Sequence, residues 1–189
     1  MKTIRPLKVT FFKVFFLLAI VLCNTFCKRV NPIENSLKTQ SFAKNEREET
    51  EVYFFTRAAN LSKSIISKSQ IAKQKSSDVI IQQLSQRIEF KENQLLEEIT
   101  RMATLKLIVI TEINATHKRD LYNLSDAKGN EFDDIYLDAT KEALNNQIEL
   151  FESISRETND KRILELILRY LPEQYKLLRE TERVKKQNV

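Results

Sequence analysis

One glycine, Gly129, and three prolines in 189 residues leave almost no material for the tight turns from which hairpins, sandwiches and barrels are built. The same scarcity excludes a glycine-rich phosphate loop, and no internal repeat is present. The two cysteines, Cys23 and Cys27, lie near the start and none follows. The rest of the chain therefore holds neither an internal disulfide nor a cysteine-based metal framework. A single histidine, His117, excludes a histidine cluster. It stands among Thr116, Lys118 and Arg119, the setting of a solvated loop residue, and no serine is spaced with a histidine and an acid as a nucleophilic triad requires.

Acidic residues are missing from the first 30 positions, which hold Lys2, Arg5, Lys8, Lys13, Lys28 and Arg29. The formal net charge of +5 belongs to that end, and the remainder is balanced to within one charge. Basicity is thus no argument for a nucleic-acid partner, and none is expected. An apolar run from Val14 to Leu22 follows the basic residues. It is shorter than the roughly 20 residues of a membrane helix and has the form of an export signal. The other reading is an uncleaved anchor from Phe11 to Phe26 with Lys13 snorkelling. A cysteine at the end of such a run points to a bacterial lipoprotein acylated on Cys23 or Cys27. The residues before them, Leu22 and Phe26, are larger than the lipoprotein peptidase prefers, so either cysteine or neither is the attachment point. Positions 1–27 are read as signal or anchor and 28–50 as a flexible tether, polar and without periodicity.

What is abundant is helix-period hydrophobicity. Tyr53, Phe54, Ala58, Leu61, Ile65 and Ala72 form one stripe; Ile81, Leu84, Ile88, Leu95, Ile99 and Met102 form a second, with Ser77 as its expected cap. A third helix is expected from Asn130 as N-cap with Asp133 closing a capping box, carrying Phe132, Tyr136, Ala139, Ala143, Leu150 and Ile154. A fourth, capped by Asn159 or Asp160, carries Ile163, Ile167, Tyr170, Leu177 and Val184, with Pro172 expected to kink it. Short connections make each pair an antiparallel hairpin. A long connection, Ala103 to Gly129, joins them; its run Leu107 to Thr111 is expected as an extended crossover, with a short helix near Lys118 to Leu124. Two hairpins joined by one long crossover over 51–187 form an all-α, ferritin-like four-helix bundle.

The segments FDDIYL (132–137), IELFE (148–152), the pair Leu171 and Pro172, and the weaker SQIA (69–72) and LSQRI (84–88) resemble the bacterial "domain of unknown function 4142" family from about Tyr53 to Lys185. The resemblance implies exported or outer-membrane lipoproteins with a ferritin-like bundle. It also implies three histidines, whose positions here are Glu92, Leu144 and Leu177, and an acidic residue near Ile65.

With those ligands absent, no metal or other cofactor is expected. A diiron or dimanganese centre needs several inward carboxylates and histidines, and Glu92 alone cannot supply them. Glu92 is expected to turn to the edge of its stripe and pair with a Lys or Arg, since an unpaired buried carboxylate is costly; the alternative is a vestigial ligand or a buried proton-active acid. The aromatic stripe Phe54, Phe132, Tyr136 and Phe151 is expected as core. The expected function is non-enzymatic: a cell-envelope bundle, tethered to the membrane through its N-terminus, that binds a protein or small ligand or serves structurally. The alternative is a ferritin-like oxidase or storage protein with an altered centre, drawing on Glu92 and carboxylates such as Glu97, Glu142 or Glu149.

Overall fold

A computed structural model describes residues 32–110 and 115–188, with side chains for 46–110, 118–129 and 131–187. The chain divides into two units, residues 1–44 and 45–189; all packing below is within the second. Five helices make up the described residues, with no strand among them: α1 (Pro32–Lys75), α2 (Val79–Leu105), α3 (Ala115–Asp126), α4 (Gly129–Glu157) and α5 (Lys161–Asn188).

The helix ends show what the local sequence does. Pro32 opens α1, where a missing N–H costs nothing. The helix then runs through positions expected as a flexible tether and starts well before Tyr53, because residues 34–50 are rich in Lys, Glu, Arg and Gln, which favour helix even without an apolar stripe. Asp78, not Ser77, caps α2: Ser76 Oγ accepts the Asp78 N–H at 3.1 Å, and Asp78 in turn accepts the Ile80 N–H at 2.6 Å. At its far end α2 closes with Ile108 N–H donating to Ala103 O at 2.9 Å and Leu107 N–H to Thr104 O at 3.0 Å. This paired closure places Leu107 in the left-handed region, φ 58°.

The capping box expected at Asn130 and Asp133 is not formed. Lys128 is the N-cap of α4, without a side-chain bond, and Asp133 Oδ1 is buried without a partner. The sole glycine explains the shift: Gly129 takes φ 58° and turns the chain from α3 into α4 ahead of Asn130. Asp160 caps α5 as expected, its Oδ1 accepting from the N–H groups of Arg162 (2.8 Å) and Ile163 (3.3 Å).

Side-chain pairs fix the directions. Glu51 meets Lys106 and Lys73 meets Glu89, so α1 and α2 are antiparallel. Lys141 meets Glu182 and Glu152 meets Tyr175, so α4 and α5 are antiparallel. Lys91 pairs with Glu173 and Glu98 with Arg169, setting α2 against α5; Ser69 meets Tyr136 and Ser62 meets Gln147, setting α1 against α4. Since α2 and α4 both oppose α5, they run parallel. Only a connection long enough to run back along the bundle can join two successive parallel helices. That connection is residues 106–110 followed by α3: Leu107 stands in a left-handed turn rather than extended, Thr111 lies outside the described residues, and Ile108 and Ile110 pack against the core while Leu107 and Val109 face out. Lys75 Nζ, at the end of α1, donates to the Ser125 and Ala127 carbonyls at the end of α3 and lies 5.1 Å from the Phe132 ring centre.

The helical bundle holds two apolar clusters. One gathers Phe54, Phe55, Leu95, Ile99, Phe151, Ile154, Ile163 and Ile167; the other gathers Ile65, Ile81, Ile88, Phe132, Tyr136, Leu144, Leu177 and Val184. Each fully buried Leu, Ile or Phe contributes roughly 1.5–3 kcal/mol. The aromatic stripe is core, with Phe54 and Phe151 ring centres 6.0 Å apart and Phe132 stacked on Tyr136 at 6.5 Å.

Candidate functional site

Four polar residues lie between these clusters, one from each long helix: Ser62 on α1, Glu92 on α2, Gln147 on α4 and Gln174 on α5. Their places follow from register. Ser62 falls between Leu61 of one cluster and Ile65 of the other, Glu92 between Ile88 and Leu95, Gln147 between Leu144 and Leu150, and Gln174 between Ile167 and Leu177. All four are buried.

Glu92 is the centre of the layer. Gln174 Nε2 donates to its Oε1 at 2.8 Å and Gln147 Nε2 to its Oε2 at 3.1 Å. Gln147 Nε2 also donates to Ser62 Oγ at 3.0 Å, and Ser62 is itself hydrogen-bonded to Glu92. The expected turn to the helix edge and the Lys or Arg partner are therefore corrected. Glu92 has zero exposure and its partners are neutral, because two amides and a hydroxyl satisfy the carboxyl group where it stands. Burial pushes its pKa up, and the bonds from Ser62, Gln147 and Gln174 only partly oppose this. Gln147 Oε1 and Gln174 Oε1 are buried without partners. A proton on Glu92 thus has an acceptor at hand, since turning over either amide presents its carbonyl to the acid.

Leu144, Leu177 and Ile65, the other positions at which the resemblance implies ligands, do come together, in the apolar cluster on one side of this layer. None offers a donor atom. Around Glu92, amide N–H groups point at both carboxylate oxygens, so positive hydrogen ends already stand where a cation would have to sit. Glu97, Glu142 and Glu149 are exposed, and no group of three or more His, Cys, Asp or Glu is placed to hold a metal among the described residues. These residues do not fit a dinuclear ferritin-type centre.

Pro172 lies inside α5, which continues through it. Leu168, whose carbonyl loses its helical donor, is 76% exposed, so water can take that carbonyl. Cys23 and Cys27 lie outside the described residues, as does the side chain of His117. No helix among the described residues is long and apolar enough to cross a membrane.

Sequence reasoning passed over Ser62, Gln147 and Gln174. Their signal was present: each interrupts an apolar stripe, Gln147 three residues after Leu144 and four before Phe151, Gln174 three residues before Leu177. Four such interruptions at one height of a bundle mark a polar layer, but common height requires knowing which helices are neighbours.

The model of a family described as "Domain of unknown function (DUF4142)" matches residues 36–184. No curated protein and no solved structure matches.

Proposed function

The chain belongs to the DUF4142 family, and from that premise we propose that it is a ferritin-like four-helix bundle in which a closed polar layer stands in place of a metal centre. Its work is binding or structural rather than enzymatic. The observation that carries this reading is the satisfaction of Glu92 by the amides of Gln147 and Gln174. Donors aimed at both oxygens take up most of the lone pairs of this inward carboxylate, which a shared ion would need. The parallel course of α2 and α4, bridged by the crossover and α3, supports the ferritin-like connectivity.

The location belongs to the same proposal. A basic N-terminus followed by the apolar run Val14 to Leu22 and by Cys23 and Cys27 supports export to the bacterial cell envelope, with the bundle held at the periplasmic face of the outer or inner membrane by a lipid on one of these cysteines or by the apolar run itself.

Metal analysis of the full chain after incubation with iron, manganese or zinc tests the central claim, with Glu92→Gln as the paired variant. We expect far less than one metal per chain in both. Near-stoichiometric metal that vanishes in Glu92→Gln would overturn the reading and turn attention to oxidase chemistry.

A further inference from the structure

Outside the polar layer, a second feature has the form of a site. A cavity of about 500 Å³ lies where α3 crosses the seam between α1 and α4, and its lining includes Arg57, Lys68, Asp120, Ala139, Glu142 and Ala143. The cavity has a sequence cause. Ala139 and Ala143 stand one turn apart on α4, and their methyl groups leave open the space that larger side chains would fill under α3.

Lys68 is 5% exposed. Among the described residues its Nζ has one long hydrogen bond, 3.4 Å to Ala139 O, and no ion pair with Asp120 or Glu142, although both carboxylates act on it electrostatically. An ammonium group has three donors, and a buried one held by a single long bond is short of acceptors. Burial pulls its pKa down, against the charges of Asp120 and Glu142. The two carboxylates, from α3 and α4, line the same cavity as the lysine. A plain anion would meet their repulsion and a plain cation would meet that of Lys68 and Arg57. A molecule bearing both charges suits this mixed lining.

We propose that this cavity binds a small zwitterion, an amino acid or short peptide, whose carboxylate accepts from Lys68 Nζ while its ammonium group is held by Asp120 and Glu142. The site gives the binding reading of the bundle a ligand class and a place. It does not involve Glu92, so metal uptake at the polar layer would overturn the earlier reading and leave this one standing.

Saturation-transfer NMR on the full chain tests it, with glycine and triglycine as probes and acetate and ethylamine as half-ligand controls. At least one of the two zwitterions should bind tenfold or more tightly than either control. Glycine binding the tighter would identify a free amino acid, and triglycine binding the tighter a peptide. Lys68→Met, which replaces a buried amine with an apolar chain of similar length, should reduce that binding tenfold or more. Glu142→Gln, at an exposed position, should narrow the preference for the zwitterion over acetate, and it keeps the test open should Lys68→Met not fold. Absence of binding by both zwitterions, equal binding of acetate or ethylamine, or unchanged binding in the variants would each overturn the proposal.

Discussion

Gln174 on α5 donates to Glu92 on α2 at 2.8 Å, while the carbonyl oxygen of the same glutamine is buried without a partner. A side chain that satisfies its neighbour and leaves its own acceptor unpaired is suited to two hydrogen-bond arrangements. With Glu92 ionised the amide donates; with Glu92 protonated the amide turns and accepts. The layer accommodates the proton without moving a helix.

That relationship has a definite pH consequence. Burial holds the Glu92 pKa above its ordinary 4.5 in the folded chain, so above pH 4.5 the native state keeps a proton that the unfolded chain has lost. Stability then falls as pH rises through the window from 4.5 to the folded pKa, and the penalty stays constant beyond it. Glu92→Gln has no such proton. Its urea midpoint should be flat across this window and exceed that of the parent chain at neutral pH. Parallel profiles for the two proteins between pH 4 and 8 would rule out a titrating Glu92.

The layer should also behave as a unit. Gln147→Leu alone leaves Glu92 Oε2 without its amide donor and should cost about 1–3 kcal/mol. Replacing Glu92, Gln147 and Gln174 together by Leu joins the two apolar clusters and removes the orphaned amide carbonyls, leaving only the Ser62 hydroxyl, which can turn to a carbonyl of its own helix. That triple variant should lie within about 1 kcal/mol of the parent or be more stable. Chemical denaturation of the single and triple variants gives the coupling directly; additive losses would mean that the layer is a set of separate hydrogen bonds.

Much of this was legible in the chain. The apolar stripes placed four long helices, and the length of the segment between the hairpins implied a crossover. What failed was local or relational. The start of α1 is missed because helix propensity acts without an apolar stripe, and Asp78 displaces Ser77 because it is the Asp78 carboxylate that accepts the Ile80 N–H. The start of α4 was missed because a left-handed glycine, not a cap, makes that turn. Glu92 was assigned a cationic partner on energetic grounds that are sound for a lone carboxylate. Its real partners come from three other helices, at distances in sequence that no periodicity reports.

Leu107 offers a separate test of the backbone. It is 90% exposed and held at φ 58°, where a side chain costs about 1–2 kcal/mol and glycine costs nothing sterically. Leu107→Gly should stabilise the chain by about 0.5–1 kcal/mol, after allowing for glycine's greater freedom when unfolded. Thermal or urea unfolding measures it. A destabilised variant would mean that the leucine side chain contributes more through contact than its backbone conformation costs.

Lys106 ties the crossover to two helices. Its Nζ lies 2.7 Å from both Glu51 Oε2 on α1 and Asp160 Oδ2 at the start of α5, and all three side chains are at most about a quarter exposed. Burial opposes the charge on Lys106, but Asp160 and Glu51 outweigh it and raise its pKa above 10.5. For Asp160, burial is in turn outweighed by Lys106 and by the Ile163 and Arg162 N–H groups, which hold its pKa below 3.8. The lysine's share of stability is therefore present below pH 10.5 and lost as pH rises through its folded pKa; that of Asp160 is present above pH 3.8 and lost as pH falls through its folded pKa. Lys106→Met should cost about 1–3 kcal/mol at neutral pH and should flatten both limbs of the stability profile. Partial burial should leave most of that loss intact in high salt. A loss abolished by salt would show instead that the triad is a solvated surface pair and that Ile108 and Ile110, packed on the core, hold the crossover without it.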